Sequence, residues 1–329
     1  MTVGQLGEHA LLDWLRRRVP APGADVILGI GDDAAVLQPT RGSWLVQTTD
    51  AMVDGVHFDL RWSTAVEVGR RAVAVNLSDL AAMGARPSWL LLSLILPESL
   101  PVAAFEALVG AVSDAARHAG AALVGGNLTR TSGPLVVDVT ATGHVRPRRV
   151  LRRDAARPGD ELWLTGSIGA AAAGLAMLRA EQPVDEVCVA RYKVPTPRLH
   201  DAWAMARDRA ARAAVDLSDG LADAVRQLTA ASGAGARIDA ACLPIEPGAR
   251  RWFDAHGHDP VAAAIGASDD YEMLFAVAPG AKGRMRAARA GSATPFTCIG
   301  TLTKRTGCVL TRDGVDTPLP MGFEHFASV

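Results

Sequence analysis

The stretch AVNLSDLAAMGARPSWLLLSLIL, residues 74–96, decides how this chain is read. Val66, Val73, Leu77 and Leu80 share one face at helical spacing, which predicts a helix over 64–84 that stops at Gly84 and, after Arg86, Pro87. WLLLSLIL, 89–96, follows directly. It is half a membrane span in length and fits a strand buried on both faces. A long helix handing over to a buried strand is the mark of layered α/β architecture.

Working outward, the same alternation continues. Leu11, Trp14 and Leu15 predict a helix over 7–19, and VILG (26–29) and WLVQTT (44–49) read as strands. Downstream come a helix over about 101–118, a strand AALVG, a Gly125-Gly126-Asn127 turn and the alternating strand PLVVDVTATG. The segment RPRRVLRRDAARPGD, 146–160, is dense in proline, arginine and turn residues and reads as a domain junction. The pattern then restarts with strand ELWLTG, an alanine-rich helix, helix 198–210, strand AAVDLS, helix LADAVRQLTAA, strand YEMLFAVA, a helix near 280–290 and strand FTCIGT. The expectation is two α/β (α+β) domains, 1–147 and 148–329.

Bulk properties exclude several classes. With 49% hydrophobic and 21% charged residues the chain is globular. A net charge of -1 supplies no basic stripe for nucleic acid. Cys188, Cys242, Cys298 and Cys308 are widely spaced, with no Cys-x-x-Cys, so reduced thiols are expected rather than zinc or redox chemistry. Glu8 and Asp13 interrupt the N-terminal apolar residues and Arg16 to Arg18 follow them, the wrong order for a signal peptide. A cytoplasmic protein is expected.

The chemistry sits in aspartates placed singly or in pairs in short polar segments. These are GIGDDAAVL (Asp32, Asp33), QTTDAMVDGVHF (Asp50, Asp54), AVNLSDLAAMG (Asp79), AVDLSDGLAD (Asp216, Asp219) and ASDDYEMLF (Asp269, Asp270). Lys occurs only at 193, 282 and 304, so these acids are not half of a lysine-laced helix face. Carboxylates gathered without basic partners repel one another, and a hard divalent cation shared with phosphate oxygens removes that repulsion. Taken singly, each motif also has a plain structural reading. GIGDDA fits an Asp-Asp turn, and Thr48-Thr49-Asp50 at a strand end fits an Asx-turn. Asn76 and Asp79 at i and i+3 can point to one spot, and Ser218 or Asp219 can cap the following helix. His57 can bind an anion or serve structurally, and the Gly-Gly-Asn string can cradle phosphate or make a hairpin. Together, these hard-oxygen segments point to a magnesium-dependent phosphate enzyme. No P-loop, kinase signature, dinucleotide fingerprint, HExxH or GxSxG is present, so metal ions must supply most of the positive charge.

In combination and order, GIGDDAAV, TTDxxVDGVHF, AVNLSDLAAMGARP, GGN, the arginine-rich junction, DLSDGL, SDDYEMLF and the final GFEHF resemble the thiamine-monophosphate kinase family. That family belongs to the superfamily of aminoimidazole ribonucleotide synthetase, selenophosphate synthetase and the hydrogenase maturation factor HypE. The resemblance spans essentially the whole chain. It implies a homodimer whose N-terminal sheets pair into a shared barrel, and transfer of phosphate from ATP to thiamine monophosphate with several Mg²⁺ ions. By motif, Asp33, Thr48, Thr49, Asp50, Asp79, Asn127, Asp216 and Asp219 resemble the family's metal ligands, and Asp50, Asp79 and Asp219 carry the transfer. Gly126, Asn127, Arg153 and Ser218 resemble its ATP contacts; His57, Asp269 and Phe323 resemble its acceptor contacts. Two departures stand out: Asn127 where many members have Asp, and Ala-Ser-Asp-Asp-Tyr-Glu where the family has Gly-Gly-Glu-Asp-Tyr-Glu.

The acceptor is a phosphate monoester, already an anion near neutral pH, so it needs positioning and charge neutralisation rather than a general base. Phe58, Phe323 or Asp269 would receive its cationic thiazolium. The rival readings are another enzyme of the superfamily, such as aminoimidazole ribonucleotide synthetase, and a non-catalytic nucleotide-binding subunit.

Overall fold

The computed structural model describes residues 1–20, 23–32, 34–182, 185–266 and 268–320. Asp33 and Phe323 lie outside the described residues. The chain divides into two compact units, one of Met1–Leu80 with Ala85–Pro147 and one of Ala81–Gly84 with Arg148–Val329. Among the described residues no helix is long and apolar enough to cross a membrane.

The first unit runs α1 (Val3–Leu6), α2 (Glu8–Arg18), β1 (Val26–Leu28), β2 (Val36–Leu37), β3 (Trp44–Val53), α3 (Ala65–Ala82), β4 (Arg86–Pro97), α4 (Val102–His118), β5 (Ala122–Thr131) and β6 (Val136–Val145). β1 and β2 form a small antiparallel ribbon. The main sheet has the order β3-β6-β4-β5, antiparallel except for the β4/β5 pair, which the intervening α4 makes parallel. Period-two alternation sorts β6: Val137, Val139 and Ala141 are fully buried, while Asp138 and Thr140 between them are half-exposed. Helices cover the buried face. Leu80 of α3 reaches Gly143, and α4 buries Phe105, Val109 and Val112.

The second unit runs β7 (Glu161–Thr165), α5 (Ala170–Arg179), α6 (Glu186–Lys193), α7 (Leu199–Arg207), β8 (Ala213–Asp216), α8 (Leu221–Ser232), β9 (Gly235–Asp239), α9 (Pro247–Ala255), α10 (Pro260–Ile265), β10 (Met273–Val277), α11 (Lys282–Arg289), β11 (Phe296–Thr303), β12 (Cys308–Arg312) and β13 (Val315–Pro318). Its mixed sheet has the order β13-β12-β9-β11-β7-β10-β8. Apolar clusters pack both faces. Leu274 and Ala276 join Leu221, Val225 and Leu228 of α8, and Met273 and Phe275 join Ala202 and Met205 of α7.

Three expectations need correction. β4 is not buried on both faces, because Leu91 is 41% exposed and Ser93 and Ile95 are half-buried; helices cover only one side of its sheet. Burial on both faces is found instead in β10 and β8, which lie between the two clusters just described. Gly125-Gly126-Asn127 is not a turn, since β5 runs straight through it and Leu91, Leu92 and Ser93 pair with these three residues in turn. Gly126 permits that approach: a Cβ there would stand 1.8 Å from the Leu92 carbonyl oxygen. Finally, Thr48-Thr49-Asp50 does not end a strand, because β3 continues to Val53.

Candidate active site

Strand geometry divides the Thr-Thr-Asp motif. Thr48 and Asp50 share the helix-covered face of β3, and Thr49 points to the open face. The Thr48 hydroxyl donates to the Asp79 carboxylate, so the middle of β3 and the end of α3 present hard oxygens together. Thr49 instead joins a polar row on the open face, donating to Asp138 at 3.0 Å and lying 3.1 Å from the Thr140 hydroxyl. Asn76, expected to converge with Asp79, is fully buried and turns its Nδ2 back onto the Ala72 carbonyl at 2.9 Å.

The loop after β3 holds His57 in a defined tautomer. Its Nδ1 accepts the Val53 backbone N–H at 3.1 Å, so in the neutral ring the proton stands on Nε2. Asp54 closes the same loop by accepting the Leu60 N–H at 3.0 Å. Phe58 is only 2% exposed. It belongs to the core and is no platform for a cation, contrary to expectation.

A cleft of about 790 Å³ opens within the first unit. Gly31, Asp32, Ser93, Gly126, Asn127 and Thr140 are among its lining residues. The glycine-aspartate loop and the Gly-Gly-Asn string, far apart in sequence, thus meet here. Asp50, Thr48 and Asp79 are not part of this lining.

In the second unit Asp216 closes β8 and is 4% exposed. The helix-cap reading of Ser218 and Asp219 does not hold. The N-cap of α8 is Gly220, with φ of 92°, and no side chain caps this helix. Ser218 donates to Asp219 at 3.3 Å, and both are half-buried. A Cβ on Gly220 would stand 1.7 Å from the Gly266 carbonyl oxygen, so the turn 216–220 is pressed against the segment entering the Asp-Asp-Tyr-Glu string. Two backbone bonds knit them further: Tyr271 N–H to Leu217 O at 3.0 Å and Leu217 N–H to Glu272 O at 2.9 Å.

The two aspartates of that string differ. Asp269 is half-buried. Asp270 is buried and structural, accepting from Gly169 N–H at 2.7 Å, Ala171 N–H at 3.0 Å and the Ser268 hydroxyl at 2.7 Å. It is the anion at the N-terminus of α5. Burial pushes its pKa up to about 6, against the pull of the Ala171 and Gly169 hydrogen bonds. Tyr271 has φ of 50°, a left-handed backbone that costs a non-glycine residue roughly 1–3 kcal/mol.

Two features were not anticipated. The row Asp138, Thr140 and Thr142 was visible as the polar half of PLVVDVTATG, but only the strand order places it beside Asn127 and Ser93. Glu272, fully buried, accepts from Thr165, Arg191 and Arg198, which long-range packing alone brings together. Arg153 lies exposed in a short turn beside the Arg152–Asp154 ion pair. Among the described residues no group of three or more His, Cys, Asp or Glu gathers at a metal-sized site.

Both units match models of one class. The family described as AIR synthase related protein, N-terminal domain, matches residues 31–145, and its C-terminal domain counterpart matches 157–313. The fold and the motif-bearing loops therefore define a two-domain AIR synthase related protein. The thiamine-monophosphate kinase of Escherichia coli (strain K12) is 38% identical over 329 residues, 98% of this chain and 99% of that one. The crystal structure of thiamine-monophosphate kinase from Stenotrophomonas maltophilia K279a is 37% identical, with TM-score 0.82 over 94% of this chain and 97% of that one. AaThiL complexed with AMPPCP and TMP is 29% identical, with TM-score 0.77 over 99% of each chain. This chain belongs to the thiamine-monophosphate kinase family.

Proposed function

We propose that this enzyme transfers the γ-phosphoryl group of ATP to the phosphate of thiamine monophosphate, giving thiamine diphosphate and ADP, the last step in making that coenzyme. The observation that carries the reading is full-length membership: 38% identity to a named kinase of this type runs across both units, and the motif residues stand almost complete. A neighbour of the same fold is complexed with AMPPCP and TMP, a nucleotide analogue and the acceptor.

In this reading Asp33, Thr48, Thr49, Asp50, Asp79 and Asn127 in the first unit, and Asp216 and Asp219 in the second, are the candidates to hold Mg²⁺. The donor set fits that ion. It offers carboxylate, hydroxyl and amide oxygens with no thiol or imidazole, and the Thr48–Asp79 pair already sets two such oxygens side by side. When bound, the ions supply the positive charge that lets two polyanions approach. The cleft lined by Gly126 and Asn127 suits ATP; by family motif Arg153 and Ser218 are the second unit's candidate ATP contacts, and His57, through Nε2, Asp269 and Phe323 are the candidates to serve the acceptor. In this reading residues 1–147 form the ATP- and metal-binding and dimerisation domain, and 148–329 the C-terminal α/β domain, which adds Asp216, Asp219 and Asp269. The protein works in the cytoplasm.

The sheet order favours a homodimer. β3 and β5 are opposite edges of a four-stranded sheet, so Asp50 and Asn127 sit three strand spacings apart, roughly 14 Å. One chain leaves these two parts of the site at separate edges. A second copy, its β5 meeting this β3 in a shared barrel, supplies the missing part. Trp44, Leu45 and Leu91 are 53%, 49% and 41% exposed on this sheet, apolar surface suited to such contact.

The acceptor attacks the γ-phosphorus directly, since its phosphate is already ionised and no side chain is needed as a relay. ADP release assayed across thiamine monophosphate, thiamine and aminoimidazole precursors tests the substrate; equal or faster turnover of free thiamine overturns it. ATP made chiral at the γ-phosphorus tests the route, with inversion expected and retention excluding direct transfer.

A further inference from the structure

Glu272 stands at the centre of a buried cluster in the second unit. Its carboxylate is fully buried and accepts four hydrogen bonds: Thr165 Oγ1, Arg191 Nη1 and Arg198 Nε each at 2.6 Å, and Arg198 Nη2 at 2.5 Å. The Arg198 pair is bidentate, the geometry that fixes a carboxylate in orientation as well as place. The two guanidinium side chains are 21% and 13% exposed. A buried ion cluster is a poor source of net stability, because desolvation offsets most of the attraction. Its value here is geometric. Tyr271, immediately before Glu272, has the left-handed φ of 50°, and a conformation of that kind persists only where its surroundings over-determine it.

We propose that Glu272, clamped by Arg191 and Arg198, is a positioning residue that holds the strained Tyr271 and thereby sets Asp269 for the acceptor. This inference rests on the acceptor role given to Asp269 above. The fixed reference is the 216–220 turn. Its Leu217 bonds both Tyr271 N–H and Glu272 O, Gly220 seats against Gly266, and Asp216 pairs in register with Met273 of β10. Between Asp269 and Tyr271, Asp270 is pinned to the start of α5. Asp269 therefore stands at the head of a short run anchored at Asp270 and at the Tyr271 N–H, and the Glu272 side chain supplies the anchor on the C-terminal side of the strained residue. Loss of its charge lets Tyr271 relax toward ordinary backbone and shifts the Asp269–Asp270 peptide that precedes it, while the nucleotide cleft of the first unit is untouched.

The test is Glu272→Gln in the full-length dimer, which keeps shape and removes charge. The expected result is a KM for thiamine monophosphate raised about tenfold, with the KM for ATP within about threefold of the unaltered enzyme. Leu302→Ala, a cavity in the same unit's core away from these loops, is the stability control; it is expected to lower Tm without this split. Amide exchange is expected to rise at Tyr271 in Glu272→Gln and to stay unchanged at Ser218 and Asp219 of the reference turn. Should that variant not fold, Arg191→Gln, which removes a single hydrogen bond, shows the same split at about threefold. Folded variants with an unchanged acceptor KM, or an equal rise in the Leu302→Ala control, overturn the inference alone. An unaltered enzyme that does not phosphorylate thiamine monophosphate overturns the acceptor reading and this inference with it.

Discussion

The hydroxyl of Thr48 on β3 donates to the carboxylate of Asp79 on α3, joining oxygens 31 residues apart. Both are hard oxygen donors of the kind a divalent cation takes, and the apolar core beside them, Leu77 and Leu80, is complete without either. Asp79→Asn removes a charge and keeps the shape. The expected outcome is a kcat lowered about a hundredfold at modest Mg²⁺, with Tm within a few degrees of the unaltered enzyme. Steady-state rates across a Mg²⁺ titration check this, and near-normal kcat at low Mg²⁺ counts against the assignment.

Gly126 tests the corrected reading of the Gly-Gly-Asn string. A Cβ at this position meets the Leu92 carbonyl oxygen at 1.8 Å and the Leu92 nitrogen at 2.9 Å, backbone atoms that cannot swing away. Gly126→Ala must push β5 off β4, at roughly 1–3 kcal/mol of stability. Urea unfolding measures the loss, and weaker ATP binding is expected beside it because the cleft shares this strand. Were the string a hairpin turn, alanine would be far better tolerated.

Asp270 predicts a pH dependence of stability. Its folded pKa, about 6, lies above the ordinary carboxylate value of 3.8. Between these values the folded chain holds a proton that the unfolded chain has lost, so stability from this group is full at low pH and falls as pH rises through about 6. The salt-bridged Asp185 and Asp259, whose pKa values are lowered, contribute the opposite slope at more acid pH. Subtracting the thermal melts of Asp270→Asn from those of the unaltered protein between pH 4 and pH 6.5 isolates the term, and a flat difference refutes it.

Much of this architecture was legible because local rules carried it. The helix over 64–84, the restart after the arginine-rich junction and the strand AAVDLS follow from periodicity and turn residues. What escaped depended on partners distant in sequence. WLLLSLIL reads as doubly buried because apolar runs look alike whether one or two layers cover them; the structure leaves Leu91 exposed and gives full burial to MLFAV of β10. Gly-Gly-Asn reads as a turn because glycine pairs usually mark one, yet here glycine lets two parallel strands close up. Ser218 and Asp219 look like caps because they precede a helix, and only the φ of Gly220 shows that the helix starts one residue later. No local signal announces the Glu272 cluster, since Thr165, Arg191 and Arg198 lie 107, 81 and 74 residues away.

The last prediction separates a shared site from a self-contained one. Thr48, Asp50 and Asp79 belong to the β3 edge of the first unit's sheet, and Gly126 and Asn127 to the β5 edge. If one copy's β3 edge and the other's β5 edge complete each site, Asp79→Asn and Asn127→Ala damage opposite sides of it. Each homodimer alone then carries two damaged sites and is expected to be nearly inactive. In a mixed dimer both lesions fall in one site, and the other pairs an intact Asp79 with an intact Asn127. Random pairing after joint refolding makes about half of the dimers mixed, each with one good site, so recovery to about a quarter of normal activity is expected. Activity that stays at the level of the separate variants, although light scattering shows dimers and tagged subunits co-purify, places both residues in one chain's site. A 34.4 kDa monomer with full activity at micromolar concentration removes the shared barrel altogether.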